Sequence, residues 1–170
     1  MTAEAGPEPL DAQTPDLTAF MAAHWRGVAA RMADLPIYNP ALAVHATGFR
    51  HAGDWRIGIV VTPWFMNVVA VPDSGVALPG IGSKLSLSLP AGEIEGVVGD
   101  IDGLGRVVSA SLYSPMQQFD AADIAIAVAE AALDQLFVPP EAEPPPQLRP
   151  PVALNRRALL FPRTRTEARP

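Results

Sequence analysis

The strongest constraint on the fold is an apolar run at residues 57–71, IGIVVTPWFMNVVAV, which Thr62 and Pro63 interrupt. The residues on both sides are rich in valine and isoleucine, which favour strands. Proline cannot donate a hydrogen bond to a neighbouring strand, so Pro63 must lie at a sheet edge, a bulge or a sharp bend. The run is also too short and too interrupted to cross a bilayer. It therefore predicts a sheet whose strands are broken at Pro63.

The bulky side chains after Pro63 allow two interpretations. In a continuing strand, Trp64 and Met66 would face one side of the sheet, and Phe65 and Asn67 the other. Burying a large apolar side chain contributes roughly 1.5–3 kcal/mol, so at least one of these side chains should belong to the core. A bulge that leaves one aromatic ring outside would instead begin an apolar binding patch. The sequence leaves both possibilities, core and patch, open.

Periodic apolar residues predict a helix at each end of a β-rich region. The first helix begins after Asp16, a suitable N-cap, and closes at Pro36. The second lies within residues 114–137 and begins near Ser114 or Asp120. Between the helices lie short β-like runs separated by turn residues, at 42–51, 55–62, 66–72, 84–90 and 106–114.

This order predicts an α+β fold, with a mainly antiparallel sheet of about five to six strands flanked by an N-terminal and a C-terminal helix. We assign the single domain to residues 16–138. Residues 1–15 are rich in proline, alanine and acids without periodicity, and they are predicted to be disordered. Residues 139–170 are predicted to form a proline-rich, basic tail.

Composition excludes several kinds of chemistry. The chain has no cysteine, which rules out disulfides, thiolate zinc sites, iron–sulfur ligation and a cysteine nucleophile. His24, His45 and His51 lack the spacing of a metal site, and there is no phosphate-binding glycine loop or serine nucleophile elbow. Asp100 and Asp102, in GDIDG, are interpreted as part of a turn between strands, not as a calcium loop. We therefore predict no catalytic residue, no metal and no cofactor.

The charges are unevenly distributed along the chain. The net charge is −6, yet the last part of the chain, from residue 149, is rich in arginine. Nucleic-acid binders carry positive charge on the folded surface, so no nucleic-acid partner is expected for this acidic body. The N-terminus has acids and prolines where a secretory signal needs a basic start and an apolar run. A cytoplasmic protein without membrane insertion is expected.

The second predicted helix has an acidic face. Asp120, Asp123, Glu130 and Asp134 are spaced so that they share one side of a helix, and that helix contains no Lys or Arg to neutralise them. The face is either a solvated surface or a docking strip for a basic segment. That segment would come from a partner or from the arginine-rich tail of this chain.

Five motifs occur in order along the chain: TPWFMN at 62–67, GDIDG at 99–103, SLYSPM at 111–116, an Ala-rich helix that ends in Leu-Phe at 136–137, and NRRALLF at 155–161. Together they resemble the HybE/HupJ family of nickel–iron hydrogenase maturation chaperones, and TPWFMN with SLYSPM is the specific pair. Many family members carry cysteine where this chain has Ala110. That position is therefore not a required metal ligand.

The resemblance implies an assembly chaperone and not an enzyme. Family members assist hydrogenase subunits in the cytoplasm before export by the twin-arginine pathway. The implied partners are precursors of the small subunit, with its twin-arginine leader, or of the large subunit, together with other hydrogenase maturation proteins. A non-catalytic structural subunit of a maturation complex is the alternative. A hydrolase that draws Ser, His and Asp from separate loops is a more distant one.

A leader with paired arginines and an apolar run would need an acidic surface beside an apolar groove. The predicted partner-binding residues are Trp64, Phe65, Met66, Asn67, Pro115, Met116, Asp120, Asp123, Glu130 and Asp134. The order RRALLF in the tail is similar to such a leader, so the tail either occupies the same groove or forms a generic basic tail or a last strand. The tail residues concerned are Arg156, Arg157, Leu159 and Leu160.

Overall fold

The computed structural model describes residues 16–141. Within that range the chain forms two helices and a seven-stranded sheet. In chain order the elements are α1 (Leu17–Met32), β1 (His45–Ala46), β2 (Arg50–Ala52), β3 (Trp55–Val61), β4 (Met66–Pro72), β5 (Lys84–Leu89), β6 (Gly92–Ile101), β7 (Gly105–Tyr113) and α2 (Ala122–Leu136). The sheet order is β1-β3-β4-β7-β6-β5, with β2 also paired to β3, and the pairs are antiparallel. The predicted α+β fold is confirmed.

One strand, β6, was not predicted from the sequence. Its residues GEIEGVVGDI include glycines and acids, which disfavour strands. It forms because its first half, up to Val97, pairs with β5 and its second half, from Val97, pairs with β7. Gly96 has a packing reason as well, since a Cβ at this position would lie 2.6 Å from the Val108 side chain. The predicted run at 42–51 forms only the short strands β1 and β2.

Helix α1 begins as predicted but ends earlier. The Asp16 carboxylate accepts hydrogen bonds from the backbone N–H groups of Thr18, at 3.1 Å, and Ala19, at 3.2 Å. The helix ends at Met32, and Leu35 is 47% exposed. Pro36 closes the helical segment, and the helix ends before the proline because proline lacks the N–H that would bond to Met32 and disfavours helical geometry in the residue before it.

Helix α2 begins later than predicted. It starts at Ala122, not near Ser114 or Asp120, and its N-cap residue, Ala121, makes no side-chain cap. The preceding residues form a loop that enters the core, where Met116 and Phe119 are buried. Burying these two side chains stabilises the loop more than extending the helix through these residues would.

Two clusters of buried side chains lie on opposite faces of the sheet. Strands β3 and β4 contribute to both clusters, which explains why their sequences are almost wholly apolar. The face covered by α2, here named the α2 face, includes Ile57, Ile59, Val61, Met66, Val68, Ala70, Leu87, Val98, Val108, Ala125, Ala129 and Leu133. The opposite face, here named the α1 face, includes Leu17, Met21, Val60, Val69, Val71, Ile101 and Val107.

The TPWF segment is a hairpin turn and not a continuing strand. Val61 pairs with Met66, so residues 62–65 connect β3 to β4. Thr62 closes the turn: its backbone N–H donates to the Phe65 carbonyl at 2.8 Å, and its hydroxyl accepts from the Phe65 N–H at 3.0 Å. Pro63 is compatible with this position because no ladder hydrogen bond is needed there. Of the arrangements considered for Pro63, the sharp bend is correct.

A buried asparagine joins this turn to the loop before α2. Asn39 Nδ2 donates to the carbonyl oxygens of Met116, at 3.0 Å, and Phe119, at 2.9 Å. The backbone N–H of Asn39 donates to the Pro63 carbonyl at 2.9 Å, and its Oδ1 accepts from the Ala41 N–H at 3.0 Å. One residue therefore links the TPWFMN and SLYSPM regions through its backbone N–H and its side chain, and sequence patterns gave no sign of its role.

We predict that Asn39→Ala lowers the free energy of unfolding by roughly 1–3 kcal/mol, because two buried carbonyl groups lose their donor. Urea unfolding followed by circular dichroism would measure it. Gln117→Ala is the matched control, since Gln117 donates to a single carbonyl, that of Ile37, from an exposed position. Its effect should stay within about 0.5 kcal/mol. Equal effects of the two substitutions would contradict the assigned role of Asn39.

Candidate functional site

A groove of about 160 Å³ opens on the α1 face, beside α1. It is formed by one residue of α1, one of the TPWF turn, and residues of β4, β6 and β7. Its lining residues are Trp25, Phe65, Asn67, Val69, Gly99, Asp100, Ile101, Val107 and Ser109. Most of this lining is apolar. We name it the aromatic groove.

Two aromatic rings form one wall of the aromatic groove. Trp25 and Phe65 meet edge to face, with ring centroids 5.0 Å apart and an interplanar angle of 88°. Trp64 packs against both, at 6.4 Å from Trp25 and 5.6 Å from Phe65, and Tyr38 stacks on Trp64 at 6.2 Å. Edge-to-face contacts of this kind are favourable beyond the area they bury. The turn and its ring contacts therefore hold Phe65 at the groove.

Two polar atoms beside these rings are buried and have no hydrogen-bond partner among the described residues. They are the indole nitrogen Nε1 of Trp25 and the amide oxygen Oδ1 of Asn67. The amide nitrogen of Asn67 is engaged, since it donates to Ser109 Oγ at 3.1 Å. Buried polar groups are nearly always paired, so this donor and this acceptor are unusual features of the groove.

Beyond the groove, no helix within residues 16–141 covers the α1 face of β5 and β6. Val97 is 46% exposed there, and Ser86 and Glu93 are exposed. Lys84 Nζ donates to Glu95 Oε1 at 2.8 Å, and this hydrogen bond together with the carboxylate charge raises the pKa of Lys84. The exposed strands thus present a polar, mainly acidic surface next to an apolar groove.

The structure separates the predicted apolar contact residues into two groups. Trp64 is 8% exposed, and Met66 and Met116 are fully buried, so these three side chains belong to the core. Phe65 and Asn67 are half-buried and line the aromatic groove. The core and patch interpretations of TPWFMN each describe part of the motif.

The acidic residues in the later part of α2 are not uncompensated. Glu130 Oε1 lies 3.4 Å from His45 Nε2, and the Asp134 carboxylate accepts a hydrogen bond from the Arg50 guanidinium. These pairs lie on the α2 side of the sheet, whereas Phe65 packs on the α1 face. The expectation that all the acidic residues join the aromatic residues in one surface was wrong, because the sheet lies between them.

Three further predicted contact residues are exposed. Pro115 lies in the loop before α2, Asp120 follows in the same loop, and Asp123 lies in the first turn of α2, where its carboxylate accepts from the Ile124 N–H at 3.0 Å. Their role in partner binding stays a prediction. The predicted tail residues lie outside the described part of the chain: Arg156, Arg157, Leu159 and Leu160.

Among the groove residues, sequence reasoning selected Phe65 and Asn67 but missed Trp25 and Ser109. Trp25 belongs to the apolar periodicity that predicts α1, and periodicity cannot show where on the sheet the helix stops covering it. Asn67, the one polar residue within the apolar strand MNVVAV, was the available signal, and it was included. Ser109 becomes relevant only through pairing of β4 with β7, which no local pattern specifies.

The turn between β6 and β7 agrees with the interpretation of GDIDG. Asp100 lies near the end of β6, and Asp102 lies in the turn that leads to β7. Within residues 16–141, no three His, Asp or Glu side chains come close enough to hold a metal ion. No helix in this range has the length and apolar character needed to cross a membrane.

The sheet with one helix on each face has a counterpart among solved structures. The solution structure of HybE from Escherichia coli matches this chain with a TM-score of 0.59 at 26% identity, covering 90% of this chain and 92% of that one. The family model described as NiFe-hydrogenase assembly, chaperone, HybE matches residues 16–162. The chain therefore belongs to this family of hydrogenase assembly chaperones.

Two relatives support the assignment over most of their lengths. The hydrogenase expression/formation protein HupJ of Bradyrhizobium diazoefficiens is 44% identical over 157 residues, covering 88% of this chain and 92% of that protein. HupT of Azotobacter chroococcum, which carries the same description, is 45% identical over 138 residues, covering 81% of this chain and 89% of that protein. The family predicted from the motifs is confirmed.

We predict that the Arg50–Asp134 pair contributes less than about 1 kcal/mol to stability, because both side chains are largely exposed. A double-mutant cycle of Arg50→Ala and Asp134→Ala, measured by urea unfolding, would give the coupling energy. It should fall further at high salt. A coupling above about 2 kcal/mol would show that α2 depends on this pair for its position.

Proposed function

We propose that this chain is a cytoplasmic assembly chaperone without catalytic activity of its own, which binds precursors of hydrogenase subunits before export. Relatives described as hydrogenase expression/formation proteins support hydrogenase subunits and other maturation proteins as its partners. The client segment that fits best is the twin-arginine leader of the small subunit, because it joins two arginines to an apolar run. The observation that carries the proposal is the aromatic groove beside exposed acidic strands.

The apolar part of the groove supports binding of an apolar client residue. Trp25 and Phe65 are only half-buried, so part of each ring remains in contact with water. Burying apolar surface contributes about 25 cal/mol per Å². An aromatic anchor of this kind in a partly enclosed pocket is typical of the residues that dominate protein–protein affinity.

The charges around the groove support a basic client segment. Glu93 and Glu95 are exposed on the α1 face of β6, the strand whose residues Gly99 and Ile101 line the groove. Glu95 forms an ion pair with Lys84, and Glu93 forms none with a described residue. Arginine beside carboxylates makes strong, directional hydrogen bonds. The paired arginines of a leader would therefore find carboxylates within reach of the groove.

The predicted partner-binding residues take different roles in this proposal. Phe65 and Asn67 contact the client, while Trp64, Met66 and Met116 support the turn and the loop from inside the core. Pro115, Asp120 and Asp123 are proposed as a separate contact surface for a larger part of the client. The remaining acids, Glu130 and Asp134, bind His45 and Arg50 and are not proposed as primary contacts.

We predict that Phe65→Ala weakens binding of the leader-bearing small-subunit precursor by about tenfold or more, because an aromatic anchor is lost. Isothermal titration calorimetry would measure the dissociation constants of four clients. They are the small subunit with and without its leader, and the large subunit in immature and mature forms. Glu130→Gln is the matched control on the α2 side of the sheet, and its affinity should stay within about twofold of the parent chain.

Each outcome has a defined meaning. Preference for the leader-bearing precursor, lost in Phe65→Ala and kept in Glu130→Gln, supports the proposal. Equal affinity for all four clients would contradict leader recognition and favour a constitutive structural subunit. Loss of affinity in Glu130→Gln but not in Phe65→Ala would indicate that the client binds on the α2 side of the sheet.

A further inference from the structure

We infer that the aromatic groove recognises the backbone N–H and C=O of one residue, together with one large apolar side chain, of an extended client segment. Trp25 Nε1 donates to the carbonyl oxygen of that residue, and Asn67 Oδ1 accepts from its N–H. This mode of recognition rests on the proposed function, because the client is the polypeptide proposed there. It adds the chemistry and the conformation of the segment that enters the groove.

The two unpartnered atoms define the chemistry of the ligand. Trp25 Nε1 and Asn67 Oδ1 are buried without a hydrogen-bond partner among the described residues, and both side chains line the groove. An indole N–H can only donate, and an amide oxygen can only accept. A residue in an extended backbone offers its own N–H and C=O on the same edge, as in an antiparallel strand pair, and therefore complements both atoms.

The orientation of the Asn67 amide is fixed by the neighbouring strand. Its Nδ2 donates to Ser109 Oγ at 3.1 Å, which leaves Oδ1 as the atom available to a ligand. The pairing of β4 with β7 shifts register here, between Met66–Tyr113 and Asn67–Ser111. Such irregularities re-aim side chains next to functional sites.

The size of the groove selects a single side chain. Its volume is about 160 Å³, and an apolar cavity of about 150 Å³ can hold benzene. One side chain of the size of leucine or phenylalanine therefore fits. An α-helix, at about 10–12 Å across, would not enter, and its peptide groups are already bonded within the helix. The segment in the groove is therefore extended.

The acidic strand beside the groove selects a basic neighbour for that side chain. Glu93 and Glu95 are exposed on the α1 face of β6, and Val97, two residues after Glu95, pairs with the groove residue Ser109. A Lys or Arg side chain can reach a carboxylate from one or two positions along an extended backbone. The segment is thus one in which Arg or Lys lies next to Leu or Phe.

Binding requires a movement of the Trp25 ring, because both unpartnered atoms are covered in the structure. Ring contacts hold this indole, with centroids 5.1 Å from His24, 6.4 Å from Trp64 and 5.0 Å from Phe65. Its N–H makes no hydrogen bond with a described residue that would oppose the movement. The indole N–H of Trp25 should therefore report occupation of the groove directly.

The test uses an acetylated, amidated synthetic peptide in which two arginines precede a leucine-rich run. Calorimetry would give its dissociation constant from the full chain, and NMR would follow the Trp25 indole N–H, assigned by its loss in Trp25→Phe. We expect that resonance to shift on binding. Trp25→Phe and Asn67→Leu should each weaken binding by about five- to tenfold. Asn67→Asp keeps the acceptor and should stay within about threefold of the parent chain.

A peptide in which one amide is replaced by an ester tests the N–H contact without changing the protein. Placed at the bonded position, the ester should weaken binding to the parent chain but not further weaken binding to Asn67→Leu. Unchanged affinity in both Trp25→Phe and Asn67→Leu, with no ester position that matters, overturns the inference. If subunit precursors bind the parent chain and the peptide does not, the inference fails and the proposed function stands. If neither binds, both fail.

Discussion

The central strand pair β3–β4 is buried on both faces, and this burial determines where the two helices must pack. A strand pair of this kind needs one layer of cover on each side, so the two helices must lie on opposite faces of the sheet. α1 covers the face of Val60 and Val69, and α2 covers the face of Ile59 and Val68. A binding groove at the edge of α1 is therefore separated from most of the acidic surface of α2.

The fold could be predicted where local sequence and tertiary environment agree. The apolar runs of β3 and β4, the alternation in β5 and the Asp16 cap of α1 all indicate the structure that forms. The prediction fails where contacts with residues distant in the sequence determine the local structure. β6 has poor strand propensity but two partner strands, and the residues before α2 form a loop because Met116 and Phe119 enter the core.

The candidate site could be predicted only in part, for the same reason. Phe65 and Asn67 were selected because they follow the break at Pro63 within an apolar run, and both line the groove. Trp25 could not be found, since its importance depends on where the α1 cover stops. The charge pairs of α2 were missed because Arg50 and His45 lie far from α2 in the sequence and reach it only through β1 and β2.

The motifs that identify the family are therefore not the same thing as a binding surface. Within TPWFMN, Thr62 closes the turn by hydrogen bonds, and Trp64 and Met66 are buried. In SLYSPM, Met116 is buried, and its carbonyl accepts a hydrogen bond from Asn39, which also holds the TPWF turn. Most of both motifs thus maintains the junction between a hairpin and a loop. What the junction leaves at the surface of the α1 face is Phe65 and Asn67, beside Trp25. A substitution of a buried residue in these motifs would impair binding indirectly, by unfolding the junction. Only substitutions of the groove side chains can change binding while the fold is kept.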